Sequence, residues 1–173
     1  MKLKKLITII VVMLMLIPAL CWAVAGSCVQ TTANYPWSGV RKVIFTCTGS
    51  SIDGSLPNTA TSTTNTSFIT GYRLEQVDAY PTSGGTAPDA ADVFILDATG
   101  KDLLGSIDGS TTAYGGLNLI NATLVRSTPP QIYVVGTGLH AYYFPFISGA
   151  LTLKVANQAT VNANYTIVLT FYK

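Results

Sequence analysis

Few side chains in this sequence have types and spacings that could do chemistry, and they are scattered. His140, in Gly136-Thr-Gly-Leu-His-Ala, is the sole imidazole, so any Ser-His-Asp site would have to use it. Such a site also needs a nucleophile and an orienting acid beside the base. No G-x-S-x-G elbow occurs, and His140 reads as an exposed turn residue. Glu75 is the only glutamate, and a paired-carboxylate hydrolase needs a second acid held at a fixed distance. Glu75 and Asp78 read as solvent-facing. Asp89, Asp92, Asp97, Asp102 and Asp108 fall close together, an oxygen-rich run of the kind calcium favours. Their spacing matches no EF-hand loop, and aspartates beside turns account for them. No catalytic residue, metal or cofactor is expected.

Two other groups carry chemistry of a different sort. Cys28 and Cys47 are the only cysteines after residue 25, and in an oxidising compartment they are expected to pair. The bridge would close a loop of about 20 residues and add roughly 3 kcal/mol in the chain-entropy model. It would fasten the N-terminal segment to the first long strand. Tyr114, Tyr133, Tyr142, Tyr143, Phe144 and Phe146 make the second half of the chain aromatic. At strand spacing they suit a core or an interface, and a carbohydrate platform would have the same composition.

The compartment is read from the first 25 residues. Lys2, Lys4 and Lys5 precede an apolar run over 6–20, and Ala23-Val24-Ala25 supplies the small-x-small exit that a signal peptidase recognises. Residues 1–25 are therefore expected to be a secretory signal helix. Residues 26–173 would be a single domain working outside the cytoplasm, extracellular or periplasmic. Two other readings stay open: an uncleaved anchor, since the run is just long enough to span a bilayer, and lipidation at Cys28, where Ala25 stands in place of the usual Leu of a lipobox.

The net charge of +2 includes the three leader lysines. After residue 25, seven basic residues face eight acids, and only Arg41 and Lys42 are adjacent. Nucleic acid, which requires a clustered basic face, is excluded as a partner. Arg41 and Lys42 read as a solvated pair. Membrane contact is expected only through the leader. So little charge suits a surface that neighbours cover.

The elements that must position these residues are strands. Residues 40–48 place Val43, Phe45 and Cys47 on one face. Residues 49–67 read as a polar loop, 68–80 as a strand with Gly71 marking a bulge, and 81–89 as a loop. Residues 92–97 form a strand that turns at Ala98-Thr-Gly100, with Gly100 left-handed. Further strands are expected over 117–125, 132–135, 142–147 and 149–156. The closing strand, 165–172, puts Tyr165, Ile167, Leu169 and Phe171 on one face and Thr166, Val168 and Thr170 on the other. No helix is expected after residue 25, because no 3.6-residue stripe survives the Gly, Pro, Asn and Thr. Ser51-Ile-Asp-Gly-Ser55 recurs as Ser106-Ile-Asp-Gly-Ser110, two turns of the same Asp-Gly chemistry. Seven or eight alternating strands give an all-β antiparallel sandwich, jelly-roll or Ig-like.

From Gly71 onward the chain resembles β-sandwich proteins encoded among tailed-phage and prophage structural genes. The matching pieces are Gly71-Tyr72, Pro81-Thr-Ser-Gly-Gly-Thr-Ala-Pro88, Asp92-Val-Phe-Ile-Leu-Asp97, Gly100-Lys-Asp-Leu-Leu-Gly105 and Gly149-Ala-Leu-Thr-Leu-Lys-Val155. They cover about two thirds of residues 26–173 and are turn-and-strand patterns of low specificity. The resemblance implies a non-enzymatic virion or surface component and brings no catalytic residue. The leader, the early cysteine pair and the penultimate Tyr172 are also similar to those of secreted fimbrial subunits, which assemble by strand donation.

The function expected is therefore a non-enzymatic structural or assembly protein of a surface filament, coat or virion-like particle, whose partners are itself or other structural subunits. Strand 165–172, with Val168, Thr170 and Tyr172, and the aromatic stretch with Tyr142, Tyr143, Phe144 and Phe146 are the expected contact elements. An exposed strand edge is a template for a neighbour. The competing expectation is an extracellular binding module, for glycans, using the exposed aromatics.

Overall fold

The computed structural model describes residues 24–89, 91–105, 117–120, 126–134 and 139–173, with backbone alone for 117–120, 126, 131–134 and 139–142. Most of the expected signal segment, the second Ser-Ile-Asp-Gly-Ser turn and Tyr114 lie outside the described residues. Within them run β1 (Ser27–Tyr35), β2 (Val40–Thr48), β3 (Thr59–Ala60), α1 (Thr63–Ile69), β4 (Arg73–Pro81), β5 (Ala91–Leu96), β6 (Leu117–Ile120), β7 (Arg126–Thr128), β8 (Gln131–Val134), β9 (Leu139–Tyr142), β10 (Thr152–Ala156) and β11 (Asn164–Tyr172).

The alternation of apolar residues decides the architecture. β11 buries Tyr165, Ile167, Leu169 and Phe171 completely on one face. Beside them lie Val43, Phe45 and Cys47 of β2 and Leu74, Val77 and Ala79 of β4, all in register. This inner face packs on Val93 and Ile95 of β5, Leu153 of β10, and the loop residues Leu103, Leu104, Ile147 and Leu151. Each large side chain so buried contributes about 1.5–3 kcal/mol. The first sheet has the order β1-β2-β11-β4-β7 and the second β3-β10-β5-β6, with β8-β9 a separate hairpin. All ladders are antiparallel. The molecule is an all-β antiparallel sandwich.

Several local expectations are corrected. The polar stretch after residue 48 contains α1, seven residues long. Its N-cap Ser62 accepts a hydrogen bond from Asn65 N, and Ile69 is buried in the core. A cap and a single apolar anchor, with Phe68 packed at the core margin, suffice where no stripe is visible. The following strand starts at Arg73, not at residue 68. Gly71 (φ 80°) reverses the chain after the helix, and the bulge falls at Glu75, between the pairs Thr170–Gln76 and Phe171–Leu74. The left-handed Gly100 is present (φ 86°). The stretch 142–147 is not one strand: β9 ends at Tyr142, and Phe146 forms an isolated bridge with Arg73. β1 is a strand where the sequence predicts none.

The largest correction concerns the closing strand. β11 is hydrogen-bonded to β2 on one side and to β4 on the other along its length. It has no free edge. Its outward residues Val168 and Thr170 are only 7 % and 8 % exposed. The most apolar segment of a sheet gains most by taking the centre, where both faces and both edges are covered.

Candidate functional site

β1 supplies the free edge that β11 lacks. Its sequence, Ser-Cys-Val-Gln-Thr-Thr-Ala-Asn-Tyr, holds no charge, proline or glycine. It pairs with all nine residues of β2, and among the described residues nothing pairs with its other side. The other margin of the first sheet and one margin of the second are guarded, and β6, the remaining margin, is only four residues long. β7 has three residues and runs into Pro129 and Pro130, and β3 has two residues shortly after Pro57.

Cys28 and Cys47 stand directly opposite each other in the β1–β2 ladder and are disulfide-bonded, with Cα atoms 4.0 Å apart. So close a pair is of the non-hydrogen-bonded kind. By alternation, the backbone groups of Cys28, Gln30, Thr32 and Asn34 then point to the free edge. Gln30 braces the strand against the second sheet. Its Nε2 donates to Ala60 O (2.7 Å), and its Oε1 accepts from Ser62 N (3.1 Å) and Asn65 Nδ2 (2.9 Å). The edge is therefore held by a covalent bond and a three-bond strut.

At one end of the first sheet the ladders place five residues side by side on its outer face: Tyr35 of β1, Val40 of β2, Tyr172 of β11, Arg73 of β4, and Phe146 bridging Arg73. Tyr35, Tyr172 and Phe146 are 49 %, 45 % and 68 % exposed, and Val40 between two of the rings is 8 % exposed. The Arg73 guanidinium lies 5.5 Å from the Phe146 ring centre and 5.9 Å from that of Phe144. Lys42 approaches Tyr35 (5.9 Å). Trp37, at the tip of the β1–β2 turn, is fully exposed. Beyond Phe146 opens a hollow of about 140 Å³, lined among others by Asp97, Thr99, Lys101, Tyr143 and Ser148. The Lys101 ammonium sits 5.6 Å from the Tyr143 ring.

The structure thus brings together Tyr172, Phe146, Phe144 and Tyr143 of the expected contact residues. It places Val168 and Thr170 apart, mid-sheet. The side chains of Tyr142, Tyr133 and His140 lie outside what is described. Tyr35 and Trp37 escaped sequence reading because β1 itself did. The signal available was the tract Tyr35-Pro36-Trp37-Ser38-Gly39, aromatic residues flanking a turn.

The described aspartates that could suit calcium serve local structure instead. Asp97 Oδ1 accepts from Thr99 N, Thr99 Oγ1 and Lys101 N, shaping the turn. Burial pushes its carboxyl up, but these bonds and the Lys101 charge outweigh that and hold it below the usual range. Asp102 Oδ1 receives the buried N–H groups of Ile95 and Leu104. Asp89 and Gln158 fasten loop to loop. Asp92 is buried, which raises its pKa despite the hydrogen bond from Asn157. Among the described residues no three His, Cys, Asp or Glu side chains converge on a metal position. Arg41, expected to be solvated, turns inward. Its guanidinium lies between the rings of Phe68 (4.6 Å) and Tyr72 (4.1 Å) and donates to the Phe68 carbonyl.

Among the described residues no helix is long and apolar enough to cross a membrane. The disulfide is compatible with an extracellular or periplasmic location. Comparison with known proteins gives no match: no family model, no curated protein and no solved structure fits the chain.

Proposed function

We propose that the protein is a non-enzymatic, secreted structural subunit that joins its neighbours by strand addition at β1. The observation that carries this reading is a nine-residue edge strand with none of the usual guards. Edge strands are ordinarily blunted by charge, proline, bulges or shortness, because a bare row of N–H and C=O groups recruits another strand. Here the remaining margins are short or proline-flanked, while β1 is long, uncharged and braced by Cys28–Cys47 and Gln30. Main-chain hydrogen bonds would supply the affinity, with a second copy or another structural subunit providing the strand. Donor-strand contacts of this kind join pilin subunits.

The test is Thr32→Pro. Thr32 is a position whose N–H faces the free edge, so proline there removes a docking donor and spares the β1–β2 ladder. Light scattering and electron microscopy of the full chain, produced through its own leader, should show ordered assemblies. The variant should be monomeric, with a melting temperature within a few degrees of the parent. A monomeric parent, or a variant that assembles equally well, overturns the reading.

A further inference from the structure

The transverse row Tyr35–Val40–Tyr172–Arg73–Phe146 has a regularity that assembly at the β1 edge does not use. Aromatic rings occupy its first, third and fifth places. Adjacent strands are about 4.8 Å apart, so successive rings are separated by about 9.6 Å and the row spans about 19 Å. All three rings are on the outer face and exposed, Tyr35 and Tyr172 by nearly half and Phe146 by two thirds. An ordinary sheet surface scatters its aromatics, and three in one row at two-strand intervals form a ruled platform.

From this spacing and chemistry we infer that the row is a binding site for a β-1,4-linked polysaccharide of N-acetylated amino sugars, lying across the strands. In such a chain each sugar is flipped relative to the last. Every second ring therefore turns the same apolar C–H face to one side, and that two-sugar repeat is close to the two-strand interval. Tyr35, Tyr172 and Phe146 would each stack on one such face, the apolar use to which aromatic rings are suited at wet surfaces. The intervening places match as well. Val40 is small and covered, leaving the floor flat between two rings. Arg73 offers guanidinium donors and Lys42 an ammonium beside Tyr35. Both groups donate and cannot accept, which suits acetamido carbonyls, stronger acceptors than the hydroxyl oxygens of a glucan. Arg73 is oriented by Phe144 and Phe146. Beyond Phe146, the hollow bearing Asp97, Thr99 and Ser148 supplies acceptors and hydroxyls where the chain would continue.

The experiment is calorimetric titration of the full chain with N-acetylglucosamine oligomers of two and six sugars, and with cellohexaose. The six-sugar oligomer spans all three rings and is expected to bind at least tenfold more tightly than the two-sugar one. It should also bind at least tenfold more tightly than cellohexaose. Tyr172→Ala and Phe146→Ala should each weaken hexamer binding tenfold or more, with melting temperatures unchanged, as exposed positions allow. Thr32→Pro should bind the hexamer as the parent does, which separates this site from the assembly edge. Absence of binding, equal affinity for the short and long oligomers, or equal affinity for cellohexaose overturns the inference.

Discussion

At the level of single residues, Asp92 and Tyr165 are polar groups placed where the fold gains little from them. The pKa of Asp92 is raised because burial penalises its charge by more than the Asn157 hydrogen bond favours it. A raised carboxylate means that the folded state holds the proton more tightly than the unfolded chain. The resulting stability is present at low pH and is lost as pH rises from the ordinary carboxylate range through the raised value. Asp92→Asn should therefore raise the melting temperature by a few degrees at pH 7 and leave it nearly unchanged at pH 3, as calorimetry at both values would show. Asp53 and Asp97 act in the opposite sense. Hydrogen bonds from Ser55 lower the first, and the bonds from Thr99 and Lys101 lower the second against its burial, so their contributions disappear on acidification. Tyr165 is fully buried, and among the described residues its hydroxyl has no partner, with burial pushing its pKa up. Replacing an unpaired buried hydroxyl with hydrogen removes a desolvation cost. Tyr165→Phe should be neutral or stabilising by about 1 kcal/mol in urea unfolding. Gly54 is the reverse case. Its φ is 73°, and a Cβ would stand 2.6–2.8 Å from the backbone of Ala159 and Thr160. Gly54→Ala should cost more than about 1 kcal/mol, because backbone cannot swing aside as a side chain can.

Among the elements, legibility followed burial contrast. β2, β5 and β11 were plain in the sequence because one face of β2, and both faces of β5 and β11, are dry, leaving Val43, Phe45 and Cys47 or Tyr165, Ile167, Leu169 and Phe171 at every second place. β1 could not be read in the same way. As an edge strand it is half-buried at best, so Ser27–Tyr35 carries no apolar alternation, and the partner β2, the Cys28–Cys47 bond and the Gln30 strut hold it extended. α1 was hidden for a related reason. Thr-Thr-Asn-Thr-Ser-Phe-Ile has weak helix propensity, and capping and packing decide its state. Ser62→Ala removes the bond to Asn65 N and frees the hydroxyl's place at the helix start, and should cost about 1 kcal/mol by denaturant unfolding. The aromatic stretch 142–147 was recognised as a surface, yet its partners were not. Tyr35, Tyr172 and Phe146 are far apart in sequence, and a row across strands leaves no local pattern to find. For β11, the alternation was right and the inference of an edge was wrong, because alternation tells which face is dry and says nothing about neighbours.

For the molecule as a whole, the disulfide and the strand order set how it holds together. Reducing Cys28–Cys47 releases a closed loop with a separation of 19 residues, and should lower stability by about 3 kcal/mol. For a domain of this size that is a fall of roughly 6–12 °C in melting temperature, measurable with and without reductant. The β1–β2 hairpin should persist in the reduced protein, since its nine-residue ladder does not depend on the sulfurs. The strand order has a temporal meaning as well. The middle of the first sheet is made by a late arrival: β11 follows every other described strand in sequence, and in that sheet it alone joins the β1–β2 hairpin to β4 and β7. Until those nine residues arrive, the earlier strands have no common partner and the core has no floor. A growing or threading chain therefore stays open until β11 is free, and a product truncated before Asn164 lacks the keystone and should be cleared by proteases. Emergence of β11 and closure of the first sheet are, for this topology, the same event.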